Sequence, residues 1–175
     1  MAVAALIVSA VGLLLAALSF GWQIASWVFD GRRVRVRLLH GAVGPAGSAT
    51  GKVGKDRRPK DMKSLVAEGF DRQEVIGIAV TNVGRAPVRI DRYGVHLAEG
   101  GFSFYPIGDA IGPILPFRLA PGETETWLAD ANDARRLITT TRAIGKKASN
   151  DVFMQVELGT GDHRRTRQTI VLPLR

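Results

Sequence analysis

The stretch EVIGIAVTNVGRAPVRIDRYGVHL, Glu74 to Leu97, decides how the chain folds. Val75 to Thr81 is a run of mainly small and β-branched residues at strand length, and Asn82 to Pro87 concentrates the residues of a turn. Val88 to Leu97 is the next strand. Its apolar set begins at Val88 and Ile90 and resumes at Tyr93, Val95 and Leu97, a change of phase that predicts a β-bulge near Arg92.

Downstream, Gly100-Gly101 turns the chain and Phe102 to Tyr105 reads as a short strand. The segment from Pro106 to Phe117, with Pro113 and Pro116, reads as loop. Ala120-Pro-Gly122 is a turn before a strand over Glu123 to Ala129. Ala131 to Ile144 has helical spacing, with Ala134, Leu137, Ile138, Thr141 and Ile144 on one face. Asp130 or Asn132 caps its start and Gly145 ends it. Val152, Met154, Val156 and Leu158 alternate in a further strand, Gly159 to Gly161 turns, and Ile170, Leu172 and Leu174 alternate in the last. Upstream, Arg33 to Leu38 alternates strictly, which predicts a strand with Val34, Val36 and Leu38 inward and its arginines outward. About seven short strands with Gly/Pro turns and one or two short helices define a mainly β sandwich or barrel.

Gly41 to Asp71 shows no strand pattern. Gly41 to Gly54 is rich in Gly, Ala and Ser and reads as flexible. Pro59 to Glu68 reads as a short helix with Met62, Leu65 and Val66 on one face and Gly69 at its end. Four divisions follow: 1–29, a transmembrane helix; 30–40, a basic juncture and first strand; 41–71, a flexible basic insert; and 72–175, the rest of the β-domain.

The N-terminal division is the most distinctive. Met1 to Phe29 contains no charged side chain, and roughly 20 apolar residues suffice to cross a bilayer. Trp22 and Trp27 lie at its end, where indole rings favour the interface. A cleaved signal peptide would need a basic start and a small-x-small site. No Lys or Arg precedes the run, and Phe20-Gly21-Trp22-Gln23 is a poor cleavage site. The formal charge is +8, with +7 falling between Gly31 and Arg72 and only +2 from Gln73 onward. Arg32, Arg33, Arg35 and Arg37 follow the helix directly, so the positive-inside rule places the N-terminus outside and the domain in the cytoplasm. Ala5, Ser9, Gly12, Ala16, Ser19, Gln23 and Ser26 follow a 4-3-4-3 spacing and form one stripe. Small and polar residues of this kind let membrane helices pack, with another copy or another membrane protein. The tryptophans and the four arginines are candidate contacts to anionic headgroups. Lys52, Lys55, Arg57, Arg58, Lys60 and Lys63 of the insert form a second such set.

Val80 to Ile90, Tyr93 to Leu97 and Leu119 to Trp127 together resemble uncharacterised small bacterial membrane proteins. These carry an N-terminal transmembrane helix, a basic juncture and an immunoglobulin-like β-sandwich. Asn82-x-Gly84-x-x-Pro87-Val88 and Leu119-x-Pro121-Gly122-Glu123 also resemble turns of adhesion-type immunoglobulin-like modules. The resemblance spans about Arg33 to Leu174 and implies a fold, with no active site. The insert and the loop after Tyr105 depart from it and are the expected places for a specialised contact.

The chain lacks cysteine, which excludes disulfides and thiol chemistry. His40, His96 and His163 have no metal-ligand spacing. No serine lies in a nucleophile elbow, and Ala49-Thr-Gly-Lys52 lacks the strand and first glycine of a phosphate loop. Glu123 and Glu125 share a strand face beside a turn, an ordinary place for solvated carboxylates. No cofactor is implied, and the chain reads as non-enzymatic. Arg164, Arg165 and Arg167 form a small basic cluster without interleaved aromatics, which does not favour nucleic acid. The expectation is a single-pass protein whose cytoplasmic sandwich is an interaction or scaffold module. Two alternatives stand beside it: an accessory subunit docked through its helix, and an extracytoplasmic binding or adhesion domain.

Overall fold

The computed structural model describes residues 2–29, 33–107 and 111–174. A 28-residue helix, α1 (Ala2–Phe29), precedes a mainly β domain. The first sheet has the order β2 (Gly47–Lys52), β1 (Val34–Gly44), β3 (Gln73–Asn82), β7 (Thr124–Asp130). The second has the order β10 (Ile170–Val171), β8 (Asp151–Leu158), β4 (Val88–Leu97), β5 (Ser103–Phe104). Two further short strands join this sheet: β6 (Phe117–Leu119) pairs with β4 and β9 (His163–Arg165) with β8. Every pairing is antiparallel. The short helices are α2 (Met62–Ala67) and α3 (Ala131–Ala143).

Alternation decides what each sheet buries. Leu38 of β1, with Ile76, Ile78 and Val80 of β3, faces Val88, Ile90, Tyr93, Val95 and Leu97 of β4 and the apolar set of β8. Trp127 fills the centre of this core, fully buried, with its indole N–H donating to Pro113 O at 2.9 Å. Tyr93 ties the sheets together through its hydroxyl, which donates to Leu128 O at 2.8 Å. The expected bulge is present as a register shift between Ile90 and Arg92. It lets Tyr93 return to the face that Ile90 occupies.

The sandwich has two distinct ends. β1 enters at Val34 opposite Asn82 and ends near Gln73, about 30 Å away at the usual strand rise. At the Val34 end, Asn82 is fully buried. Its side-chain amide donates to Ala86 O at 2.9 Å and Leu119 O at 3.0 Å, and its oxygen accepts from Gly84 N at 3.0 Å. One side chain thus shapes the turn and joins the two sheets, which accounts for the Asn-x-Gly-x-x-Pro pattern. At the far end α3 lies across the sandwich, with Ala134 and Ile138 buried. Asp130 caps it by accepting from Asn132 N at 2.7 Å.

Several expectations are corrected. Gly41 to Gly54 carries strand structure: β1 runs on to Gly44 and folds back into β2, with Gly41 opposite Thr50. A Cβ at Gly41 would run into the backbone of Ala49, so glycine here is a packing requirement that composition disguises as flexibility. The described residues hold ten strands where the pattern predicts about seven, the additional ones including β2, β6 and β9. The last strand stops at Val171, and Leu174 is exposed, where alternation had put it inward. Ile144 and Val66 are also exposed rather than on packed helix faces. α2 is shorter than Pro59 to Glu68, starting at Met62 because Asp61 caps it by accepting from Lys63 N.

Replacing Asn82 with Ala removes three hydrogen bonds and strands two carbonyls. The expected cost is about 2–4 kcal/mol, read as a lower urea midpoint for the full chain in detergent micelles. A change below about 0.5 kcal/mol would contradict the role given to this residue.

Candidate functional site

The described side chains of α1 from Val3 to Ile24 are exposed, and none of the window Ile7–Ile24 is buried against the domain. The helix is long and apolar enough to cross a membrane. Along the small-residue stripe, Ala5, Ser9, Gly12, Ala16, Ser19 and Gln23 are exposed and Ser26 is half-buried. Ser9 satisfies itself by donating to Ala5 O at 2.9 Å, so it does not require a neighbour. A Cβ built at Gly12 meets nothing within 4 Å, which leaves the backbone open to close approach. Trp22 is exposed, while the side chain of Trp27 and the whole of Arg32 lie outside the described residues.

The fold separates the two basic sets. Arg33, just before β1, and Arg35 and Arg37 near its start are exposed, at the Asn82 end. Arg35 and Arg37 share the outer sheet face with Thr81 and Ala79 and have no acidic partner among the described residues. The insert residues sit towards the other end. Lys52 is opposite Leu39, the Lys60 backbone reaches His40, and Lys63 lies on α2. Lys55 and Arg58 are exposed beside them. Arg57 pairs with Asp151 at 3.4 Å, and its carbonyl accepts from Val171 N at 3.0 Å, so it is engaged with the far end of the second sheet. A bilayer touching the domain end-on at Asn82 reaches the first set and not the second.

The most organised polar group was not anticipated. His40 of β1, Glu74 of β3 and Arg135 of α3 are buried together beneath α3. His40 Nε2 lies 3.0 Å from Glu74 Oε1, and Arg135 NH2 donates to Glu74 Oε2 at 2.7 Å. Lys60 N donates to His40 Nδ1 at 3.0 Å, which leaves the proton on Nε2, pointed at the carboxylate. Arg135 also donates to Asn132 Oδ1 and Pro173 O, both at 3.0 Å. Burial alone would raise the Glu74 carboxyl, but hydrogen bonds from His40 and Arg135 and the guanidinium charge hold it at about 2. The signal was in the alternation: His40 continues the inward set of Leu38, and Glu74 shares parity with Ile76. Such positions demand partners when they are polar. With every strong donor occupied, the cluster has the character of a structural tie.

His96 is packed among aromatic rings. It stacks on Phe153 at 5.3 Å between centroids and meets the edge of Tyr105 at 5.6 Å. Its Nε2 is buried without a hydrogen-bond partner, and burial, then the charge of His163, pulls it below the usual imidazole range. Tyr105 in turn covers Gly94, where a Cβ would meet its ring at 2.8 Å. Among the described residues, no group of three or more His, Asp or Glu is placed to hold a metal ion. No protein-family model and no curated protein matches the chain.

The Glu74 carboxyl titrates at 4.5 when unperturbed and at about 2 in the fold. A depressed folded value contributes stability that is fully present above pH 4.5 and lost as pH falls through about 2. The amount is about 3 kcal/mol. Urea unfolding of the full chain in micelles across this window is expected to show that loss. Glu74→Gln flattens that part of the profile, and an identical slope in the variant would remove the tie from the account.

Proposed function

We propose that the chain is a bitopic membrane protein, its sandwich held end-on at the cytoplasmic surface as a protein-interaction or scaffold module. The observation that carries this reading is α1. Its described apolar side chains from Val3 to Ile24 are exposed beside a domain that buries its own core completely. An apolar surface of that size is a liability in water and an ordinary requirement in lipid.

Chain connectivity supports the end-on placement. Four links separate Phe29 from Arg33 and span at most about 15 Å. Val83 N and Gly84 N both donate to Arg33 O, at 2.9 and 3.1 Å. The Asn82 turn is therefore bonded to a residue four positions past the helix, and exposed Val83 lies within reach of the interface. The basic run at this juncture favours the cytoplasmic side.

The immunoglobulin-like reading is supported by strand order. The neighbours β1-β3-β7 against β4-β8 with β9 and β10 follow the A-B-E against C-F-G pattern of such sandwiches. The loop after Tyr105 suits a protein partner, because Ile107 and Ile114 are 98% and 89% exposed and attached to a rigid β7 through Ile111 and Trp127. A second reading, an accessory subunit docked through α1, is favoured by the open backbone at Gly12.

Reporters fused to the C-terminus test the orientation. A cytoplasm-active reporter is expected to work and a periplasm-only reporter to stay silent. The reverse pattern would place the domain outside and transfer the account to a binding or adhesion module.

A further inference from the structure

The outer face of the second sheet holds a pair of like charges that the fold does not need. Arg89 of β4 and Arg118 of β6 are directly opposite in the antiparallel register. Such pairs place their Cβ atoms about 5 Å apart, and like charges there are destabilising. Arg89 Nε is partly neutralised by Asp91 Oδ1 at 2.6 Å. Arg118 makes no ion pair or hydrogen bond among the described residues.

The two arginines line one open cavity of about 340 Å³, together with Pro87, Val88, Leu158, Gly159 and Thr160. Gly159 is part of its construction. Its N–H donates to Arg89 O at 2.8 Å, and a Cβ there would sit 3.0–3.2 Å from the Arg89 stem. The glycine lets the turn lie against the arginine stem, while the Arg89 head stays exposed with its Nε on Asp91. The cavity lies at the Asn82 end of the sandwich, since Leu119, beside Arg118, accepts from the Asn82 amide.

The geometry points to a binding site for a phosphate-type oxyanion, clamped by Arg118 and Arg89. Two guanidiniums on one cavity can together match the tetrahedral oxygens of phosphate, and charge-assisted bonds to such oxygens are the strong class. The chemistry is shared by a lipid phosphate headgroup and by free phosphate. The headgroup is the source expected here, and that part rests on the end-on membrane reading above.

The test uses the full chain and Arg118→Gln, with Arg167→Gln as a control at an exposed arginine outside the cavity. In zwitterionic micelles at matched ionic strength, inorganic phosphate is expected to raise the unfolding midpoint of the unsubstituted chain saturably. Arg118→Gln should weaken the apparent affinity about tenfold, and the control should not. Without phosphate, the variant should be as stable as the parent or slightly more so, because a repulsion is removed. The second arm compares nanodiscs of phosphatidylcholine with and without phosphatidylglycerol. Stabilisation by the anionic lipid that Arg118→Gln abolishes assigns the headgroup. A phosphate effect lost in Arg118→Gln without any lipid effect keeps the site and overturns the headgroup source. No saturable phosphate effect, or one that Arg118→Gln leaves intact, overturns the site itself. The micelle arm does not depend on α1 crossing a bilayer, so the two readings fail separately.

Discussion

A single buried carboxylate closes the domain. Glu74 accepts from β1 through His40 and from α3 through Arg135. The same two partners extend the contact to the insert through Lys60 N and to the C-terminal segment through Pro173 O. Four separate pieces of chain are thereby fixed at one end of the sandwich. Removing one partner from such a cluster leaves an uncompensated charge, a change costing about 3–5 kcal/mol. The helix α3 can lie across the open end because the polar groups beneath it are already paired.

The same strand carries the opposite anchor. Asn82 ends β3 and Glu74 is its second residue, and β3 is an inner strand of its sheet, flanked by β1 and β7. Between these two polar ties the strand buries Ile76, Ile78 and Val80. One tie locks α3 over the sandwich and the other locks the turns joined to the segment that follows α1. This division gives the domain a polarity along its length. Arg33, Arg35 and the Arg89–Arg118 cavity belong to the Asn82 end. The insert and Arg57 belong to the Glu74 end, where Asp151 engages Arg57.

Much of this was legible in the residues. The period-2 patterns located the core strands, the phase change at Arg92 located the bulge, and Asp130 marked the start of α3. Two kinds of information were hidden. The hairpin of β1 and β2 is written in Gly, Ala and Ser, whose small size allows close backbone approach, and composition gives the same letters to a flexible linker. The Glu74 cluster was half visible, because alternation turns His40 and Glu74 inward. Arg135 could not be assigned to them, since it lies 61 residues from Glu74 and only the packing of α3 brings it there. The Arg89–Arg118 pair was invisible for the same reason, as β6 is too short to register as a strand. What the residues say about place, through an uncharged helix followed by arginines, is read locally. What they say about binding depends on long-range register.

The proposed placement has the sandwich meet the bilayer by its Asn82 end. The chain has no cysteine, so single cysteines can be placed at Val83 and at Ile144, both exposed and at opposite ends of the domain. Nitroxide labels at these positions, in the full chain reconstituted into anionic vesicles, report depth through their accessibility to oxygen and to a water-soluble nickel chelate. The prediction is a Val83 label at headgroup depth and an Ile144 label in bulk water. Equal aqueous accessibility at both positions, or a deeper label at Ile144, would contradict it.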